Sequence, residues 1–191
     1  ISWEDELTLL KGIRERGGKL VVLDPRRTET AAIADKHLFI KPGTDVYMIL
    51  AMLNVLFDGD FQSPDRLADF THGIDIIPEL VREWTPERTS ALTGISPQDT
   101  RQLVRDFCEA ETASCYGRIG VSTQRYGSLT QWLITVFNIV TGNLDTPGGS
   151  MFSAPALEVL SHGPAGKKGF ADHHTRIRKL PNFTGEFPVA A

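Results

Sequence analysis

The segment that most constrains the fold is the apolar run at residues 45–57, DVYMILAMLNVLF. Apolar side chains surround a helix here almost completely, so the helix must be buried on nearly all sides. A chain of 191 residues, 41% of them hydrophobic, is long enough to bury it in one core without a disulfide framework. A second apolar helix is predicted at residues 129–140. Both runs are too short to span a bilayer, so we expect no membrane insertion.

Short apolar runs alternate with the predicted helices. Residues 19–23 (KLVVL) and 37–40 (HLFI) are typical of buried parallel strands, and residues 114–120 are predicted as a third strand. Further helices are predicted at 3–16, 28–34 and 97–111, with two or three short ones within 64–94. Strand and helix in alternation predict an α/β fold: a three-layer, mostly parallel sheet flanked by helices, forming a Rossmann-like nucleotide-binding layer.

The domain organisation follows from where this alternation stops. Residues 1–150 are predicted to form the α/β domain, and residues 151–191, which show no clear period, an irregular tail or linker. The chain begins at Ile1 rather than at a methionine and ends without a final helix. We therefore expect a fragment of a larger multidomain enzyme.

Charge and motif content exclude several classes of function. The net charge of −4 argues against nucleic-acid binding, which needs a basic surface. The sequence contains no HExxH, CxxC or GxSxG motif, so no catalytic residue and no metal site are predicted in this segment. The adjacent His173 and His174 are interpreted as surface residues without a third ligand. Cys108 is interpreted as core, and Cys115 as part of the third strand.

Polar residues follow the first predicted strand in the order Asp24, Pro25, Arg26, Arg27, Thr28. A carboxylate at a strand end can accept hydrogen bonds from a ribose diol or a base edge, and arginines bind phosphate oxygens. Thr28 and the amides after it form a helix start that suits an anion. The alternative is structural, with Asp24 and Thr28 capping the helix and the arginines solvated.

Residues Gly43, Thr44 and Asp45 follow the second predicted strand in the same way. Guanine presents N1–H and N2–H₂ side by side, and one carboxylate can accept both, so Asp45 is a candidate guanine ligand. Gly43 would let a base approach the backbone, and Thr44 is a candidate N-cap. The alternative is that Asp45 only stabilises the dipole of its own helix.

The third candidate segment, residues 120–127, places hydroxyl and amide side chains between two glycines. Such a loop can hydrogen-bond a flat heterocycle rich in N–H and C=O groups, or it can be an ordinary loop before a helix. It matches neither a phosphate-binding Walker loop nor GxGxxG. Because ligands bind at the carboxyl ends of parallel strands, the three segments are expected to form one cleft.

Four motifs occur in the order of a known family: VLDPRRTETAAIAD (22–35), FIKPGTDVYMILAMLNVLF (39–57), GRIGVSTQRYG (117–127) and NIVTGNLDTPGG (138–149). They resemble the middle, cofactor-binding segment of the molybdopterin oxidoreductases of the dimethyl sulfoxide reductase, formate dehydrogenase and nitrate reductase type. The resemblance covers roughly residues 1–150. It implies a bis(molybdopterin guanine dinucleotide) cofactor with molybdenum or tungsten, and two-electron redox chemistry.

The resemblance also implies roles for the candidate residues. Asp24 through Thr28 would line the ribose and phosphate side of one guanosine. Gly43, Thr44 and Asp45 would hold its base, with Asp45 on the guanine edge. The residues expected on the pterin side are Ile119, Gly120, Thr123 and Gln124.

Several parts of such an enzyme are not in this sequence. The family's iron–sulfur cysteine cluster is absent, so an iron–sulfur centre is expected only in an upstream region. The implied partners are the remaining domains of the same enzyme, while the electron-transfer partner stays open and the cytoplasm is favoured over the periplasm. We expect the isolated segment to be inactive. Two alternatives remain: a stand-alone nucleotide-binding module, and an interaction domain without a ligand.

Overall fold

A computed structural model describes residues 3–152, 170–183 and 187. The chain divides into two compact units, Ile1–Met151 and Phe152–Ala191. The helices of the first unit are α1 (Trp3–Glu15), α2 (Glu29–Ile33), α3 (Asp45–Asp58), α4 (Ile77–Val81), α5 (Pro86–Thr93), α6 (Pro97–Glu109), α7 (Ile119–Ser122) and α8 (Gly127–Val140). Two 3₁₀ turns, Asp65–Phe70 and Ile74–Ile76, precede α4.

Helix α3 is the centre of the core, as its apolar sequence predicts. It packs against α4, α5, α6 and α8. Its side chains Met48, Leu53 and Leu56 are almost completely buried, and so are Phe137 and Val140 of α8. Burial on all sides is what allows a helix with so few polar residues to be stable in water.

The first two predicted strands are confirmed. Strand β1 (Val21–Leu23) pairs in parallel with β2 (Lys36–Leu38), with Val21 opposite Lys36 and Leu23 opposite Leu38. Helix α2 connects the two strands, which makes a short β-α-β unit. Their carboxyl ends therefore lie side by side. The result is a mixed helix-and-sheet architecture, consistent with a fragment of an α/β protein.

The prediction of a third strand at residues 114–120 is wrong. Residues 113–118 form no strand, and α7 begins at Ile119. The reason is the hydrogen-bonding partner of Cys115: its amide donates to Asn138 Oδ1 at 2.9 Å, and its carbonyl accepts from Asn138 Nδ2 at 2.8 Å. The amide side chain of a buried α8 residue thus satisfies the backbone groups that a neighbouring strand would otherwise pair.

Side-chain caps close three of the helix starts that the structure describes. Thr28, Thr85 and Ser96 each accept a hydrogen bond from a backbone amide in the first turn of α2, α5 and α6. Thr44 does not cap α3, so that prediction is wrong. Its backbone is at φ −110°, ψ 9° rather than extended, and its hydroxyl instead donates to the carbonyl of Lys41 at 2.6 Å.

The second unit contains an antiparallel pair, β3 (Phe170–His174) and β4 (Pro181–Phe183). The sequence pattern of this part of the chain indicated no strand. His173 and His174 lie on β3 and are exposed. Within the described ranges, no three His, Cys, Asp or Glu side chains cluster as metal ligands, and no helix is both long and apolar enough to cross a membrane.

Candidate nucleotide-binding site

The corner after β1 is built around Asp24. Its amide donates to the carbonyl of Leu38 at 3.2 Å, which extends the β1–β2 pairing by one bond. Its Oδ1 accepts from the amide of Arg26 at 2.7 Å, which closes a tight turn. Oδ2 has no hydrogen-bond partner among the described residues. The structural role of Asp24 therefore uses one carboxylate oxygen and leaves the other available.

The residues that follow Asp24 are open to solvent. Pro25, Arg26 and Arg27 are exposed, and neither arginine side chain pairs with an acidic group in the part of the chain that the structure describes. The hydroxyl of Thr28 accepts from the amide of Ala31 at 3.1 Å, so Thr28 has the capping role that the sequence analysis gave as an alternative.

The corner after β2 is a tight turn over residues 41–44. The amide of Thr44 donates to the carbonyl of Lys41 at 3.3 Å, with Pro42 and Gly43 between them. Gly43 has φ +77°, a left-handed value that a type II turn requires at its third position and that favours glycine. This turn delivers Asp45 to the start of α3.

Asp45 is a partly buried carboxylate in an unfavourable setting. Burial raises its pKa above the ordinary value of 3.8, its own backbone amide opposes that rise, and the neighbouring charge of Asp24 raises the pKa further. The parallel pairing of β1 and β2 places the corners that carry the two carboxylates at the same edge of the sheet. Asp45 accepts no hydrogen bond from the side chain of another described residue.

The loop after residue 118 meets the second corner through Gln124. A Cβ atom on Gly43 would lie 3.3 Å from Gln124 Oε1, and Gln124 Nε2 donates to the carbonyl of Gly120 at 3.0 Å. Thr123 donates to the carbonyl of Ile119 at 3.0 Å, while the Ile119 side chain is largely exposed. The third predicted segment therefore lies against the corner after β2, and β1–β2 pairing brings the first two corners to one edge. The third segment follows a coil and not a strand.

The two glycines of this loop differ in what surrounds them. A Cβ on Gly127 would lie 2.0 Å from the carbonyl oxygen of Ser122, so glycine is required there by close packing inside the chain. A Cβ on Gly120 would meet nothing within 4 Å. Internal packing therefore does not explain Gly120, whose backbone faces open space.

Sequence reasoning missed one residue at this site, His37. Its Nε2 bonds the carbonyl of Asp24 at 2.9 Å, and its ring contacts the ring of Phe39. The only sequence signal was its position in the apolar run 37–40. The cysteines contribute no reactive group, because burial raises the pKa of Cys108 and raises that of Cys115 to about 12.

Comparisons with known proteins identify relatives of this chain. Formate dehydrogenase H of Escherichia coli is 32% identical over 134 residues, which cover 70% of this chain and 19% of that enzyme. Dimethyl sulfoxide/trimethylamine N-oxide reductase of Rhodobacter capsulatus is 29% identical over 181 residues, covering 84% and 22%. Acetylene hydratase from Pelobacter acetylenicus, a solved structure, matches 80% of this chain and 21% of its own with a TM-score of 0.73 and 26% identity. No family profile matches the chain.

The first two of these relatives are oxidoreductases, and the chain matches a fragment of such an enzyme. It spans about a fifth of the length of the relatives it matches. The family is that of the molybdopterin oxidoreductases, to one segment of which this chain is homologous, and the resemblance found in the sequence is confirmed.

Proposed function

We propose that the chain binds one guanine nucleotide arm of a bis(molybdopterin guanine dinucleotide) cofactor within a larger molybdenum or tungsten oxidoreductase. The observation that carries the proposal is the parallel pairing of β1 and β2, which brings the corners with Asp24 and Asp45 to the same edge of the sheet. Burial makes the charged form of Asp45 unfavourable, and donor groups of a ligand would relieve that cost. A partly buried carboxylate in this setting supports a binding role over a purely structural one.

The base would be held at the start of α3. Guanine offers two adjacent donors, and the ionised Asp45 offers two acceptor oxygens without a side-chain donor among the described residues. Gly43 and Thr44 form the wall of the turn beside it, where the absence of a Cβ at Gly43 brings the backbone close. An amide at position 45 would offer only one acceptor.

The ribose and phosphate groups would lie at the corner after β1. Asp24 Oδ2 would accept from a ribose hydroxyl, while the exposed Arg26 and Arg27 would supply positive charge for phosphate oxygens. Pro25 and Thr28 fix the path of the chain between them. These residues match the donor and acceptor groups of a nucleotide, so the site fits the implied cofactor.

The pterin side would be approached by the loop that contains α7. Gly120 presents open backbone, and Ile119, Thr123 and Gln124 surround it with one apolar and two polar side chains. When bound, the cofactor supplies two-electron redox chemistry of the oxygen-atom or hydride transfer type. The role of this chain is to bind and orient it.

The remaining architecture is proposed from the relatives. The β1–β2 pair would be extended by strands of the same polypeptide into a three-layer, Rossmann-like sheet, and the remaining domains of the enzyme would complete the cofactor cleft. An iron–sulfur centre is proposed only for an upstream region. The isolated segment is expected to show no turnover.

The test is Asp45→Asn in the full-length enzyme, produced in cells that make the cofactor. Acid hydrolysis of the purified protein releases guanosine monophosphate from the dinucleotide, which is quantified per enzyme. We expect a loss of about tenfold, because one donor of the base is left unpaired. Asp58→Asn, at the exposed last residue of the same helix, is the matched control and retains the wild-type content.

Two results would overturn the proposal. One is a wild-type content of guanine nucleotide and metal in Asp45→Asn. The other is an unmodified enzyme that releases no guanosine monophosphate. Binding of guanosine diphosphate by the wild-type chain in a protein without pterin or metal would instead favour a stand-alone nucleotide-binding module.

A further inference from the structure

The carbonyl of Asp24 is held by a side chain and not by the sheet. The β1–β2 register ends at Leu23 opposite Leu38, and the Asp24 amide adds one further bond to the carbonyl of Leu38. The Asp24 carbonyl lies beyond that register, and its bond is with His37 Nε2, at 2.9 Å. Because residue 25 is a proline, the peptide unit after Asp24 also has no N–H that could anchor it.

The hydrogen-bonding state of His37 follows from this contact. A carbonyl oxygen only accepts, so Nε2 donates. Nδ1 is buried and has no hydrogen-bond partner among the described residues. One ring nitrogen thus bonds the Asp24 carbonyl, and the other makes no hydrogen bond within the described residues.

The ring of His37 is oriented by Phe39, the next residue on the same face of the chain. The two ring centroids are 4.1 Å apart and the planes are tilted by 50°. Phe39 itself is 60% exposed, so its position is not explained by burial in the core. On the other face, Lys36 bonds Asp99 of α6 and Leu38 is part of the core. The side chains of His37 and Phe39 are therefore separate from the side-chain contacts that Lys36 and Leu38 make on the opposite face of β2.

We propose that His37 is a positioning residue for the nucleotide-binding site. This inference rests on the proposed function and deepens it. By fixing the Asp24 carbonyl, His37 sets the orientation of the Asp24–Pro25 peptide and hence the direction in which the Asp24 carboxylate and the two following arginines leave β1. Loss of that bond leaves the Asp24–Pro25 peptide itself without an anchor, although the Asp24 amide, Oδ1 and the bond from the Thr28 amide to the Arg26 carbonyl still hold the flanking parts of the corner.

The experiment compares two polar substitutions of His37 in the full-length enzyme. His37→Gln keeps an N–H₂ donor at the reach of Nε2, whereas His37→Asn keeps polarity but is too short. We expect His37→Asn to lower the guanosine monophosphate released per enzyme by about three- to tenfold, and His37→Gln to retain at least about half.

Two further variants provide a control and a second test. Lys36→Met breaks an ion pair on the opposite face of β2 and is expected to retain wild-type cofactor content. Phe39→Ala leaves every hydrogen-bonding group in place but uncovers the His37 ring, and we expect about a twofold loss. If the His37→Asn variant yields too little protein, Phe39→Ala provides the test. A wild-type amount of guanosine monophosphate per enzyme in Phe39→Ala would then overturn the inference.

The outcomes separate the two proposals. If Asp45→Asn loses guanine nucleotide and His37→Asn does not, the site stands and the role of His37 is wrong. If His37→Gln and His37→Asn lose it equally, His37 contributes only to packing, which also overturns the inference. If none of the variants, Asp45→Asn included, loses it, the proposed function itself fails.

Discussion

Helices α3 and α6 both have a hydroxyl residue and an aspartate at their start. The two starts differ in whether the hydroxyl caps the helix and in the direction in which the pKa of the aspartate is shifted. At α6, Ser96 accepts from the amide of Asp99 at 3.0 Å and donates to its carboxylate at 2.6 Å. Lys36 also binds that carboxylate, and these contacts lower the pKa of Asp99. At α3, Thr44 caps nothing and the pKa of Asp45 is raised.

The difference supports a stabilising role for the start of α6 and the proposed binding role for the start of α3. The start of α6 satisfies its own backbone and charge within the chain, so it contributes to stability. The start of α3 leaves a partly buried carboxylate beside a second one, which lowers stability. Proteins retain such local costs mainly where a ligand uses the same groups.

The largest effect on stability is expected at the α6 start. Ser96→Ala removes the cap of α6 and one of the groups bound to Asp99, and we expect a loss of about 1 kcal/mol in the free energy of unfolding. Urea unfolding of the chain measures it. Ser96→Thr, which keeps the hydroxyl, is the control and should be close to wild type. A neutral Ser96→Ala would remove the contrast between the two helix starts.

A smaller effect of opposite sign is expected at the α3 start. Asp45→Asn removes the buried charge and its repulsion with Asp24, and an amide still accepts from the first-turn backbone. We expect the free energy of unfolding at pH 7 to rise by up to about 0.5 kcal/mol. The same variant is expected to lose cofactor, so stability and binding change in opposite directions. A destabilised Asp45→Asn chain would show that the carboxylate is structural.

The pH dependence of the free energy of unfolding should show the same contrast between Asp45 and Asp99, with smaller effects. Because the pKa of Asp45 is raised on folding, its unfavourable contribution is absent below about pH 3.8 and grows as pH rises through the folded pKa. Because the pKa of Asp99 is lowered, its favourable contribution is present above that pH and is lost as pH falls through the folded pKa. Asp45→Asn and Asp99→Asn should therefore differ in sign at pH 7. Asp45→Asn should approach wild type at about pH 3.5, whereas Asp99→Asn should do so only at lower pH, below the folded pKa of Asp99. Urea unfolding at several pH values measures this, and parallel pH profiles for the two variants would contradict it.

The sequence allowed prediction of the features that depend on nearby residues. Apolar character located α3 and α8, and the helix predicted at residues 97–111 corresponds to α6. The pairing of residues 114–118 could not be predicted, because it depends on a single side chain of α8, Asn138, that replaces a strand. The convergence of the Asp24 and Asp45 corners was predictable from the rule for parallel strands, while the contribution of His37 needed the path of the backbone.

The smallest effect is expected at Thr44, and it separates sequence pattern from structure most directly. By sequence, Thr44 is the N-cap of α3, and its removal would cost about 1 kcal/mol, as for Ser96. In the structure its hydroxyl donates to the carbonyl of Lys41 in a partly exposed turn, so Thr44→Ala should cost no more than about 0.3 kcal/mol. Thermal or urea unfolding beside Ser96→Ala, with Thr44→Ser as the control, measures the ratio. Equal losses in the two alanine variants would mean that α3 is capped after all, and the start of α3 would then no longer differ from that of α6 in what it contributes to stability.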